Sequence, residues 1–255
     1  MSETSDTQES FLSHLIELRT RLMRSIIAVV IVLLMLFPFA KDIYALLAKP
    51  LLRVLPHGST MIATDVTGTF LVPLKVTLMA AFLLALPYVL WQAWAFVAPG
   101  LYQKEKRLVL PVLVSSCVFF VFGMSFAYFF VFPVAFGFFA GYTPVGVQMM
   151  TDIDKYLSFV LTMFIAFGIT FETPVVVIVL VRLGVVSLEK LRAIRGYVIV
   201  GAFVVGAIFT PPDILSQLMM AVPLWLLFEL GLLVARFISV PQRDADAVGE
   251  QKLPD

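Results

Sequence analysis

The chain is 255 residues long, with 61% hydrophobic and 14% charged residues and a mean hydropathy of +1.01. A soluble domain carries roughly 45–50% apolar and about 25% charged residues, so this composition reads as an integral membrane protein. A formal net charge of +1 leaves no basic excess for a nucleic-acid partner.

The first ten residues are polar and carry Glu3, Asp6 and Glu9, where a cleavable signal peptide would begin with positive charge. Residues 11–24 are amphipathic. Phe11, Leu15, Leu18 and Leu22 share one helical face, and His14, Glu17, Arg21 and Arg24 share another. This spacing predicts a helix at the membrane interface that bends into the first span. Glu17 stands four residues before Arg21, the spacing of a surface pair worth on the order of 0.3 kcal/mol.

Charge-free runs set the spans. Residues 25–40 form the first, read as a retained helix, and residues 76–103 the second. Residues 103–107 then place Glu105 among Lys104, Lys106 and Arg107. Topology accounts for the cations. Glu105 is either local charge balance or, with Glu17, one half of a site for two guanidinium groups held by bidentate bonds. The run 108–151 is broken by Pro133, Gly137, Gly141 and Pro144, which predicts a helix over 108–132 with a loop after it. Cys117 is the lone cysteine, so no intrachain disulfide exists and it reads as a packing residue.

Residues 156–181 form the fourth span, with Glu172 near its middle. A carboxylate there costs about 2.5–3.5 kcal/mol on insertion scales, so Glu172 must face protein or a watery cavity and marks a functional site. The fifth span, residues 196–210, is stopped by Pro211 and Pro212. Its 15 residues reach roughly 22 Å against a hydrocarbon core of about 30 Å. The sixth covers 214–235, interrupted by Glu229, which either pairs with Arg236 or reaches the interface. Asp213 reads as its helix cap, and Thr210 with Gln217 as a polar patch for another helix. Pro87, Pro174 and Pro223 predict kinks that bend the bundle into a concave, glove-like form.

Of the 18 Lys and Arg residues, only Lys41, Lys49, Arg53, Lys75 and Lys155 fall on one side of this six-span arrangement. The bias makes the other side, with both termini, cytoplasmic. Residues 1–24 are then a cytoplasmic segment, 25–236 the membrane domain and 237–255 a cytoplasmic tail. No zinc-hydrolase, nucleophile-elbow or phosphate-loop motif is present, and no cofactor motif, which argues against an enzyme. The residues alone leave open a proton-coupled transporter of small molecules titrating at Glu172, a receptor for a basic peptide, and a membrane scaffold.

The chain also resembles the TatC family, the multispanning subunit of the twin-arginine protein translocase. The likeness runs from about Phe11 to Phe237. It is carried by His14 to Arg19, Ala63 to Val66, Trp94 to Pro99 with Leu101, Tyr102 and Glu105, and Phe126 to Tyr128 through Pro133. Thr151 to Ile153, Phe171 and Glu172 with Pro174, Gly201 to Gly206, and Thr210 to Asp213 complete it. The resemblance implies recognition of the paired arginines of signal peptides on folded precursors, together with a TatB-like single-span partner. Recruitment of TatA-like subunits into an oligomeric complex, and export across a bacterial inner membrane driven by the proton-motive force, are implied too. It assigns Glu17 and Glu105, with Arg19 and Phe96, to the signal peptide, and Glu172 to the intramembrane acid. Thr210 and Gln217 match a partner site whose third position is the apolar Ala207 here. Pro50, Tyr128 and Asp213 match other positions tied to activity. No cofactor is implied.

Overall fold

The computed structural model describes residues 3–46, 61–97, 106–141, 151–210 and 213–238. Helix α1 covers Glu3–Leu36 and passes through a 3-10 turn, Phe37–Phe39, into helical backbone ending at residue 46. The two-residue strand β1, Met61–Ile62, precedes α2, Gly68–Val97. Helix α3, Lys106–Phe126, runs through a π-helical turn, Ala127–Val131, into α4, Phe132–Gly141. Strand β2, Thr151–Asp152, leads into α5, Ile153–Phe171, and α6, Thr173–Arg182. The short α7, Leu188–Ala193, then α8, Arg195–Phe209, and α9, Ile214–Ile238, complete the described chain.

Among the described residues, five helical stretches are long and apolar enough to cross a membrane: Ser13–Leu46, Gly68–Val97, Val109–Phe139, Ile153–Arg182 and Ile214–Phe237. Helix α8 is apolar but has only 15 residues, as the sequence spacing indicated. Exposed apolar side chains cover the outside, among them Leu34, Leu84, Phe129 and Ile208. That distribution suits hydrocarbon solvent rather than water.

The helix expected over residues 11–24 runs without a break into the first span, as one helix of 34 residues. Nothing between Glu3 and Leu36 is Gly or Pro, so no residue interrupts its hydrogen-bond ladder. The third span does not stop at residue 132 but continues to Gly141 through Pro133. A proline ring at 133 would strike the carbonyl of Phe129 in an α-helix. The π turn before it widens the spiral, with the Phe132 N–H donating to the Ala127 carbonyl.

Proline also explains the break between α5 and α6. Pro174 cannot donate to the Thr170 carbonyl. The Thr173 hydroxyl does so instead, at 2.6 Å. The break thus falls on Glu172 itself. At the end of α6, Gly184 takes φ +68, which turns the chain toward α7 at no steric cost.

The core lies where α2, α5 and the π turn meet. Phe132, Met163, Phe167 and Met220 are its largest fully buried side chains. Helices approach closely through glycine: a Cβ at Gly231 of α9 would lie 2.9 Å from the Pro174 Cα of α6. On the side away from the start of α1, β1 pairs in parallel with β2, Met61 opposite Thr151 and Ile62 opposite Asp152.

Candidate functional site

Three polar places stand out in this apolar body. The first is at the start of the first span. Glu17 Oε1 accepts from Arg21 Nε at 2.8 Å and from Arg21 Nη2 at 2.6 Å. The i,i+4 spacing on α1 sets that pair, and it is partly exposed. Arg21 Nη1 also reaches Gln92 Oε1 on α2 at 3.4 Å, so the pair is tied to a second helix. One turn away, the His14 ring stacks on Phe96 with centroids 4.4 Å apart. Glu17, Arg21, His14, Gln92 and Phe96 therefore share one surface. Arg19 is exposed on the neighbouring part of α1. Glu105, the second expected carboxylate, and Pro50 lie outside the described residues.

The second place is Glu172. It is 9% exposed, and protein rather than lipid surrounds it. Among the described residues neither carboxylate oxygen has a hydrogen-bond partner. Ser116 of α3 faces it, and that hydroxyl accepts from Trp94 Nε1 at 2.8 Å. An apolar cavity of about 510 Å³ lies between α1, α2 and α5, lined by residues such as Leu22, Val29, Met79 and Phe82, but Glu172 is not part of its wall.

The third place joins α8 and α9. Thr210 Oγ1 donates to the Gly206 carbonyl at 2.8 Å, and Gln217 Nε2 donates to the Phe203 carbonyl at 2.9 Å. Gly206 permits the contact, since a Cβ there would sit 3.1 Å from the Gln217 side chain. Ala207 is exposed beside them. Asp213 Oδ1 accepts from the Ser216 N–H at 2.7 Å, the capping geometry expected of it. At the far end of the same helix pair, Glu229 takes Arg195 of α8, at 2.7 Å. Tyr128 lies within the π turn, half-buried and edge-on to Phe129.

Sequence reasoning missed several polar links. Lys75 Nζ donates to Asp154 Oδ1 at 2.6 Å and to Ser158 Oγ at 3.1 Å. Asp152 caps α5 through the Asp154 and Lys155 N–H groups and also accepts from the Thr64 side chain and N–H. The Thr64 hydroxyl, then the Lys155 N–H, hold its carboxyl down at about 2. An acid immediately before a helical run, followed by a second acid, was the available signal. The Gln92 and Trp94 links had none, because their partners are distant in sequence.

An apolar bundle in which five helical stretches among the described residues are long and apolar enough to cross a membrane, with one buried acid between them, defines a multi-pass membrane protein. The family profile of the Sec-independent protein translocase protein (TatC) matches residues 13–223. The chain is 54% identical over 232 residues to the Sec-independent protein translocase protein TatC of Escherichia coli (strain K12), covering 91% of this chain and 90% of that one. It is 56% identical over 227 residues to the TatC of Azotobacter chroococcum mcd 1, covering 89% of each. A crystal structure of the twin-arginine translocase receptor TatC superposes with a TM-score of 0.76 at 41% identity, covering 88% of this chain and 98% of that one.

The chain belongs to the TatC family. It is accordingly a multi-pass inner-membrane component of the Sec-independent, twin-arginine protein translocase. Family membership decides among the readings that the residues alone left open. It favours protein translocation over small-solute transport.

Proposed function

We propose that the Glu17 surface, with Glu105, receives the paired arginines of a signal peptide carried by a folded precursor. The carrying observation is that Glu17 already binds a guanidinium through two bonds to one oxygen. A carboxylate in this position takes that group with charge-assisted geometry. Arg21 has Gln92 as an alternative acceptor, so an incoming arginine can replace it without leaving it unmet. The stacked His14 and Phe96 rings provide an apolar flank beside the exchange, and Arg19 borders it.

In this reading residues 1–24 and 237–255 face the cytoplasm, and residues 25–236 form the membrane body. TatB-like and TatA-like single-span helices dock along α8 and α9. The shortness of α8 supports this, since a 15-residue span needs a partner or a thinner bilayer. One Gln217 amide N–H donates to the Phe203 carbonyl, which orients the group so that its oxygen can accept from a donor on a partner helix. Ala207 contributes only apolar contact there.

The test is photo-crosslinking of a twin-arginine peptide to the chain in membranes. Glu17→Ala combined with Glu105→Ala should weaken the crosslink strongly; an undiminished crosslink would overturn the reading.

A further inference from the structure

The last turns of α2 carry Gln92, Trp94 and Phe96. Gln92 and Phe96 are four residues apart and meet α1, through Arg21 at 3.4 Å and through the His14 ring at 4.4 Å. Trp94 falls on the opposite side of the same helix. It reaches α3, where its Nε1–H donates to Ser116 Oγ at 2.8 Å. Both side chains are buried, Ser116 completely. Ser116 in turn lies within reach of the Glu172 carboxyl, neither of whose oxygens has a hydrogen bond of good geometry among the described residues.

Packing explains part of this. A buried indole N–H needs an acceptor. It does not explain why this serine, already an acceptor, is set beside the Glu172 carboxyl. A hydroxyl that accepts one bond still has one to give, and the bond received strengthens the bond given. One helix end therefore touches the proposed peptide site on one face and reaches the membrane acid through a single side chain on the other.

We infer that Trp94 and Ser116 are positioning residues that couple occupancy of the Glu17 surface to the Glu172 carboxyl. The inference rests on the peptide-binding reading above. When a peptide guanidinium takes Glu17, Arg21 shifts its bonding toward Gln92 and the end of α2 moves. Trp94 moves with it, because both faces belong to one rigid helix. The indole then turns the Ser116 hydroxyl toward or away from Glu172.

The test uses the full chain with its single-span partners in vesicles. Ser116→Ala should leave crosslinking of a twin-arginine peptide unchanged and lower transport about ten- to a hundredfold, the weight of one hydrogen bond to a charged group. Ser116→Thr, which keeps the hydroxyl, should restore transport. A purely structural role would not move the second readout. In a chain carrying Trp91→Phe and Trp225→Phe, Trp94 emission should shift on peptide addition, and the shift should persist in Ser116→Ala, since Trp94 moves before Ser116 responds. Normal crosslinking with no emission shift, or full transport by Ser116→Ala, overturns the coupling alone. Loss of crosslinking specificity for the arginine pair in the unsubstituted chain overturns the peptide reading, and the coupling with it.

Discussion

Lys75 of α2 and Asp154 of α5 are joined at 2.6 Å, 79 residues apart in the chain. The bond closes a polar strap at the end of the bundle opposite the Glu17–Arg21 pair. The β1–β2 pairing and the Asp152 cap complete it. Helices in lipid gain little from apolar burial against one another, so such polar ties fix which helices are neighbours.

The strap should respond to acid. Asp152 is held at about 2, against an ordinary value of 3.8, chiefly by the Thr64 hydroxyl and then by backbone N–H groups. Asp65 is lowered as well, mainly by the Thr67 N–H. A carboxylate with a depressed value stabilises the fold fully above its unfolded value and loses that contribution as pH falls through its folded one. The melting temperature in detergent should therefore drop as pH is lowered from 3.8 toward about 2. Asp152→Asn should melt lower at neutral pH and show a smaller acid drop. Identical profiles for the two proteins would remove Asp152 from this role.

Arg21 gives a second prediction with an unusual sign. It occupies the carboxylate that the peptide is proposed to use, so it competes with the incoming arginine. Exposed i,i+4 pairs are worth about 0.3–0.5 kcal/mol, equivalent to roughly a twofold change in affinity. Arg21→Gln should raise the affinity of a twin-arginine peptide about twofold. Titration with a fluorescent peptide would check this. A large loss of affinity would mean that Arg21 shapes the site rather than blocking it.

The residues that were legible in the sequence are those whose signal is local. The charge-free runs located the spans, the four-residue spacing located the Glu17–Arg21 pair, and the charge count between Arg195 and Pro211 measured the short α8. Helix ends near proline were misread at residue 133, because a π turn absorbs what a proline rule treats as a stop. Gln92, Ser116 and Lys75 were not legible as site residues. Each finds its partner through the packing of α2 against α1, α3 and α5, which no window of sequence contains.

Helix contacts made through glycine give a third prediction. A Cβ at Gly123 of α3 would lie 2.4 Å from the Phe167 carbonyl oxygen of α5 and 2.9 Å from the Phe171 ring. Backbone cannot yield without parting the two helices. Gly123→Ala should cost about 1–3 kcal/mol, as overpacked cores do. Gly137→Ala is the matched control, since nothing lies within 4 Å of its Cβ position. It should be neutral or stabilising by up to about 1 kcal/mol through helix propensity. Thermal melts of the two variants in the same detergent decide it, and equal melts would refute the close approach.

Glu172 gives the sharpest contrast between stability and use. Its carboxyl is buried, neither oxygen has a hydrogen bond of good geometry among the described residues, and one serine hydroxyl could satisfy only one of them. Removing an unsatisfied buried polar group recovers about 1–3 kcal/mol. Glu172→Leu should therefore melt higher than the natural chain while transport is abolished. Glu172→Gln should stabilise less, because an amide in the same place still lacks partners. The break in the helix should survive both changes, since Pro174 and the Thr173 hydroxyl produce it rather than the acid. Functional sites commonly hold such strain at the expense of stability. A Glu172→Leu chain that melts lower would show that the carboxyl is bonded in the membrane, by water or by a partner helix, and would move Glu172 from the reserve of the fold to its framework.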